Sequence, residues 1–130
     1  MQSQSRIPKP DPQVPSHDEI QDRFYGITDH LANKASKDPL TESGNIIAVG
    51  SSIMKLWSSI RKDLAPYKVT NHGFGGSRTW EMLYFVDKLV TDFKPRVVLV
   101  YCGSNDINSG ETAVPISARL KSFFEYLSKA

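Results

Sequence analysis

Three residues of the sequence, Ser52, Gly76 and Asn105, have types and neighbours suited to acyl transfer. A serine hydroxyl can attack the carbonyl carbon of an ester and carry the acyl group as a covalent intermediate. The amides of the serine and the glycine and the NH₂ of the asparagine can donate hydrogen bonds to the oxyanion that forms. Each such donor contributes on the order of 3 kcal/mol. These residues therefore predict a serine nucleophile beside a three-donor oxyanion hole.

Each of these residues lies in a short glycine-rich segment that follows a predicted strand. The segments are 50–52, 71–77 and 103–106, and together they hold five of the eight glycines. Singly, each segment has a structural explanation. A Gly-Ser-Ser turn is often a helix cap, here with Ser51 as the capping residue, and a loop asparagine is often a turn residue. Ligands bind at the carboxyl ends of parallel strands, so three consecutive segments of this kind indicate one site.

The elements that must position these segments follow from the spacing of the apolar residues. Continuous apolar runs predict strands buried on both faces, whereas steps of three and four residues predict helices. The predicted strands are 46–49, 68–70 and 97–101, and the predicted helical faces are 20–31, 53–64, 82–93 and 116–127. One helix followed by three strand–helix units predicts an α/β fold with a parallel sheet.

The start of the chain differs in composition from the rest. Four of the eight prolines lie in residues 1–15, which predicts a disordered lead-in there and one folded domain over 16–130. Ser16 and Glu19 have the spacing of a capping box at the start of the first helix. The composition of residues 37–44 is typical of a surface loop.

Composition and charge argue against several classes of protein. The formal net charge is +2 and no Lys/Arg cluster occurs, which argues against a nucleic-acid-binding protein. The longest apolar run, 97–102, is too short to span a membrane, and residues 1–15 lack the apolar core of a secretory signal. Cys102 is the single cysteine, which excludes an intrachain disulfide and a cysteine-based zinc site. We expect a cytoplasmic protein that binds a small molecule and needs no metal or cofactor.

The three segments resemble the sequence blocks of the SGNH hydrolases, the GDSL esterase/lipase superfamily. Residues 47–53 are similar to the first block, 71–77 to the second and 103–106 to the third, and the resemblance covers roughly 16–130. It implies a flavodoxin-like three-layer α/β/α sandwich and acyl esters as substrates. It also implies an acyl-enzyme on Ser52, with an oxyanion hole formed by the amides of Ser52 and Gly76 and the side chain of Asn105.

Two departures from the family pattern bear on the activity. Ser51 replaces the aspartate that precedes the nucleophile, and no Asp-x-x-His block occurs in the chain. We therefore expect a domain truncated at its C-terminal end, with His72 as a candidate base or, alternatively, as an exposed or pocket-lining side chain. The alternatives to an esterase are a non-catalytic binding module and an inactive fragment. An incomplete sheet would also leave a strand edge uncovered, which predicts self-association.

Structural roles are predicted for several other side chains. Asp87 and Lys88 lie on the polar side of a predicted helix and are expected to be solvated. Asp106 is expected to stabilise its loop rather than act as an acid. Trp80 is expected in the core or in a pocket wall, and Cys102 as a small core residue.

Overall fold

The structure is a computed structural model that describes residues 20–38, 41 and 45–129. The predicted lead-in over 1–15 and the predicted capping box at Ser16 and Glu19 lie outside the described residues. Most of the loop predicted over 37–44 also lies outside them.

In the described part of the chain the sheet has three parallel strands, and all three were predicted. They are β1 (Ile46–Gly50), β2 (Val69–Asn71) and β3 (Val97–Tyr101), in the order β2-β1-β3. Ile46 pairs with Val69 on one side and with Val97 on the other, so the three strands start level with one another. Because the strands are parallel, their carboxyl ends meet at one edge of the sheet.

The described residues also form seven α-helices and a 3₁₀ turn, which lie before, between and after the strands. They are α1 (Asp22–Ser36), α2 (Ser52–Lys55), α3 (Ile60–Asp63), α4 (Thr79–Tyr84), α5 (Val86–Leu89), the 3₁₀ turn Thr91–Phe93, α6 (Ser104–Asn108) and α7 (Ala113–Lys129).

The single helix predicted over 53–64 is wrong, because the structure divides it into α2 and α3. The carboxylate of Asp63 accepts hydrogen bonds from Nε1 of Trp57 and from Oγ of Ser59, both at 2.7 Å. These bonds stabilise the turn before α3, and the apolar spacing of the sequence does not reveal them. The helix predicted over 82–93 is divided in the same way, into α4, α5 and the 3₁₀ turn.

Helices cover both faces of the sheet, so the fold is an α/β sandwich of three layers. On one face Ile47 and Val49 pack with α1, α4, α5 and α7 in a core rich in phenylalanine. On the other face Ala48 and Val69 pack against the short helices α2 and α3. The alternation of side chains along β1 separates these two clusters. The predicted α/β class with a parallel sheet is confirmed.

The expectation that Asp87 and Lys88 are solvated is wrong, since their exposed fractions are 3% and 7%. Nζ of Lys88 donates to Asp29 at 2.6 Å and to Thr28 at 3.0 Å. The hydroxyl of Tyr126 donates to Asp87 at 2.5 Å. These partners come from α1 and α7, so tertiary contacts bury a helix face that looks polar in the sequence.

Strand β3 is the most exposed strand of the sheet. Val97 is 41% and Tyr101 52% exposed, and β3 pairs with β1 alone among the described strands. Self-association through this edge stays a prediction. No helix in the described part of the chain combines the length and apolar character that crossing a membrane would require.

Candidate active site

Ser52 is the first residue of α2, directly after the carboxyl end of β1. The chain leaves β1 at Gly50, whose φ is +152°, and a Cβ there would lie 2.0 Å from the carbonyl oxygen of Tyr101. Only glycine fits this position. The amide of Ser51 donates to the Tyr101 oxygen at 3.3 Å, whereas the amide of Ser52 has no acceptor among the described residues.

The second segment is hydrogen-bonded to the first through one carbonyl group. The oxygen of Gly50 accepts from the amide of Phe74 at 3.0 Å and from Oγ of Ser77 at 3.2 Å. Nδ2 of Asn71 also donates to the carbonyl of Met54 in α2, at 2.7 Å. These bonds hold the turn after β2 against the turn that carries Ser52.

Gly76 stands at an exposed point of this second turn, with φ of +78°. A Cβ at this position would lie 2.6 Å from the guanidinium of Arg23, which donates to the carbonyl of Gly75. The amide of Gly76 has no acceptor in the described part of the chain. It is therefore free to donate to a ligand.

Asn105 lies in α6, after the carboxyl end of β3, and is half-buried. Its Nδ2 donates to the carbonyl of Ser77 at 2.9 Å, which joins the third segment to the second. An amide NH₂ carries two hydrogens, so one remains for another acceptor. Hydrogen bonds thus link the segments that hold Ser52, Gly76 and Asn105 into one continuous group.

A buried ion pair fixes the third segment behind Asn105. Asp106 is fully buried and accepts from the amide of Thr79 at 3.0 Å and from its hydroxyl at 2.5 Å. Arg119 of α7 is 1% exposed and donates to Asp106 at 3.1 Å and to Oγ1 of Thr79 at 2.7 Å. Asp106 therefore has a structural role, as its position suggested.

Arg119 was not identified from the sequence as part of the site, although one feature of the sequence indicated a special role for it. The residue occupies the apolar stripe of α7, between Ile116 and Phe123, where a cation is out of place. A charge at such a position needs a buried partner. Its guanidinium also lies 5.1 Å from the ring of Trp80, on which Arg78 stacks at 5.0 Å. Trp80 is half-buried and forms part of this network.

His72 lies inside the protein and borders a cavity, so the expectation of an exposed histidine is wrong and that of a pocket-lining one is confirmed. Its exposed fraction is 1%, and Nδ1 donates to the carbonyl of Leu89 at 2.7 Å. Since a carbonyl only accepts, Nδ1 carries the proton and Nε2 is the free acceptor. Burial lowers the pKa of His72 below its ordinary value. Nε2 has no hydrogen-bond partner, so His72 is not bonded to Ser52.

Cys102 precedes the third segment and is half-buried beside the main core. Burial, together with the charge of Asp106, raises the pKa of its thiol to about 12. The thiol therefore stays protonated and is a poor nucleophile. Within the described ranges, no group of His, Cys, Asp and Glu side chains is arranged to hold a metal ion.

Comparison with known proteins gives a likeness in structure alone. No family profile matches the chain, and no curated protein matches it in sequence. A solved structure from Streptococcus pneumonia, described as a "putative platelet activating factor", superposes with a TM-score of 0.68 at 17% identity. The match covers 80% of this chain and 48% of the solved one, so this chain spans about half its length. At this identity the likeness establishes the shared α/β fold.

Proposed function

We propose that the protein is a serine ester hydrolase of the SGNH type that acts on an acyl ester through Ser52. Oγ of Ser52 attacks the ester carbonyl while a base takes its proton. The amides of Ser52 and Gly76 and Nδ2 of Asn105 donate to the oxyanion. The bond between the carbonyl carbon and the alcohol oxygen then breaks, and the alcohol leaves with the proton. Water releases the acyl group from Ser52 as an acid.

The observation that carries this proposal is the set of hydrogen bonds joining the three segments. Gly50 accepts from Phe74, and Ser77 accepts from Asn105, so the three turns form one surface at the carboxyl edge of the sheet. Oxyanion donors are effective when they are fixed before the reaction begins, because little reorganisation is then needed. The free amides at Ser52 and Gly76 suit that requirement.

A second candidate function is a non-catalytic module that binds a ligand at the same surface without turnover. One observation favours it: within the described residues, no side chain is hydrogen-bonded to the hydroxyl of Ser52, and Nε2 of His72 has no partner. A serine hydroxyl without a base is a weak nucleophile. This candidate predicts ligand binding with no covalent bond to Ser52.

Labelling with a fluorophosphonate probe distinguishes the two candidates. An ester hydrolase is expected to be labelled in the wild type and not in Ser52→Ala. Ser117→Ala removes an exposed serine of α7 and should leave labelling unchanged. Asn105→Ala should slow labelling by about 10²-fold, because it removes one oxyanion donor.

Two outcomes would contradict the esterase proposal. A folded wild type that is not labelled has no activated nucleophile and favours the binding module. Equal labelling of the wild type and of Ser52→Ala would place the reactive group elsewhere. Labelling that persists in His72→Ala would be consistent with the buried, unbonded position of that histidine.

A further inference from the structure

A cavity of about 420 Å³ lies beside the candidate active site. It is bounded by α1, the α2–α3 segment and the end of β2, and its wall includes Asn71 and Gly73 of the second segment. The volume lies within the range of small-molecule sites, which is roughly 300–1,000 Å³. Leu31 and Trp57 supply an apolar part of the wall.

The charged side chains of the wall are mostly cationic. Among the described residues of the wall they are Lys34, Lys55 and Arg61, against the carboxylate of Asp38. Asp38 is already paired with Arg61 at 2.7 Å. In the described part of the chain, neither lysine has an ion pair, so their two charges have no protein counter-ion there. His72 borders the cavity too, and burial lowers its pKa, which favours its neutral form.

Lys55 connects this cavity with the candidate oxyanion turn. It lies three residues after Ser52 in α2, on the same side of the helix. Its backbone nitrogen is packed so closely against Gly73 that a Cβ there would lie 2.5 Å from it. Its Nζ would be 3.9 Å from a Cβ at Gly75. The ammonium group thus lies between the cavity and the Gly75-Gly76 turn.

We propose that this cavity binds an anionic group of the ester substrate, a carboxylate or a phosphate, through Lys55 and Lys34. The substrate class is then an acyl ester that carries a negative charge on a small, partly apolar body. The apolar wall at Leu31 and Trp57 holds the body, and the two ammonium groups hold the anion. This inference rests on the proposed function for its kinetic test, whereas the binding site itself is tested separately.

The binding test is an NMR titration of the ¹⁵N-labelled chain. Benzoate and phenyl phosphate are the anionic probes, and benzyl alcohol is the neutral probe. We expect the anions to shift the amides of Gly73 and Gly75 and the neutral probe to bind at least fivefold more weakly. Lys55→Met should remove the difference in affinity between the anionic and the neutral probes. Whichever of benzoate and phenyl phosphate binds more tightly shows whether the site prefers a carboxylate or a phosphate. Equal binding of all three probes, or no binding, would overturn the anion site.

The kinetic test compares two esters with the same leaving group. The anionic ester is mono-p-nitrophenyl succinate, and the neutral one is p-nitrophenyl butyrate. In the wild type we expect kcat/KM to be higher for the anionic ester. Lys55→Met should lower that ratio by about two- to fivefold, the range expected for the loss of one ion pair at an exposed lysine. The ratio should also fall as the salt concentration rises.

Two further variants separate anion binding from other roles of Lys55. Lys55→Arg keeps the charge and should keep the preference for the anionic ester. Lys62→Met removes an exposed lysine of α3 outside the cavity wall and should change nothing. If Lys55→Arg and Lys55→Met lose activity equally on both esters, the lysine acts as a base and the inference is wrong. If neither ester is hydrolysed by the wild type, the proposed function fails, and the titration alone decides the anion site.

Discussion

Replacing Arg119 by methionine tests whether the buried ion pair holds the third segment. Arg119 and Asp106 are 1% and 0% exposed, so the substitution leaves a carboxylate sealed inside the protein. Asp106 would keep its hydrogen bonds from the amide and the hydroxyl of Thr79 and lose its ion pair with Arg119. Removing one partner of such a pair costs about 3–5 kcal/mol. Arg119→Met should therefore lower the free energy of unfolding by about that amount.

The assay is urea unfolding of the wild type, the two single variants and the double variant. Asp106→Asn alone keeps an uncharged acceptor beside Arg119, and Arg119 still contacts Glu111. This variant should lower the free energy of unfolding by about 1–3 kcal/mol. The double variant Arg119→Met/Asp106→Asn leaves no buried charge at Asp106. It should therefore be more stable than the sum of the two single losses predicts. Lys121→Met, at an exposed position of α7, should stay within about 0.5 kcal/mol of the wild type.

Two results would refute this reasoning. A loss below about 1 kcal/mol in Arg119→Met would mean that solvent reaches Asp106 despite its burial. Strict additivity of the two single variants would mean that the two groups are not coupled. If Arg119→Met does not fold, Arg119→Lys, which keeps the charge, should recover a cooperative transition.

Three further predictions concern other positions. Gly50→Ala should lower the free energy of unfolding by more than about 3 kcal/mol, because the new Cβ would collide with the Tyr101 oxygen. Gly26→Ala in α1 should raise it by about 0.5–1 kcal/mol, since the new Cβ would meet nothing within 4 Å. The urea midpoint should fall as the pH drops below the ordinary histidine pKa, because burial lowers the pKa of His72 and the unfolded chain then binds more protons. This slope should shrink in His72→Gln. With its pKa raised to about 12, Cys102 should resist iodoacetamide at pH 8 until urea unfolds the chain.

Each of these has a contrary outcome. Equal stabilities of Gly50→Ala and Gly26→Ala would show that the chain can leave β1 by another path. Identical pH profiles for the wild type and His72→Gln would show that His72 titrates alike in both states. Rapid modification of Cys102 in the native protein would show that its thiol is accessible and ionised.

The strands were predictable because the apolar residues that make up each strand are also the residues that the fold buries. The run Ile46–Val49 is apolar throughout and stops at a glycine, and the structure places β1 at Ile46–Gly50. The break between α2 and α3 was not predictable from spacing, because it depends on hydrogen bonds from Trp57 and Ser59 to Asp63. Apolar periodicity contains no information about such side-chain bonds.

The candidate site shows a similar division. That three glycine-rich turns would share one edge followed from the alternation of strands and helices. The burial of His72 and the pairing of Asp106 with Arg119 did not, because each depends on a residue distant in sequence. Leu89 lies 17 residues from His72, and Arg119 lies 13 residues from Asp106. A single sequence does not reveal which of many polar residues meet across such distances.

The pair of Asp106 and Arg119 also determines how α7 is aligned along its axis. Apolar packing has no direction, so a stripe such as Ile116 and Phe123 could be buried almost as well with the helix displaced by one turn. A displacement of one turn moves every side chain by about 5.4 Å, which would separate the guanidinium from its carboxylate. The ion pair can therefore form in only one axial position of α7. Because Asp106 is held in that position, the adjacent Asn105 is held in place as well.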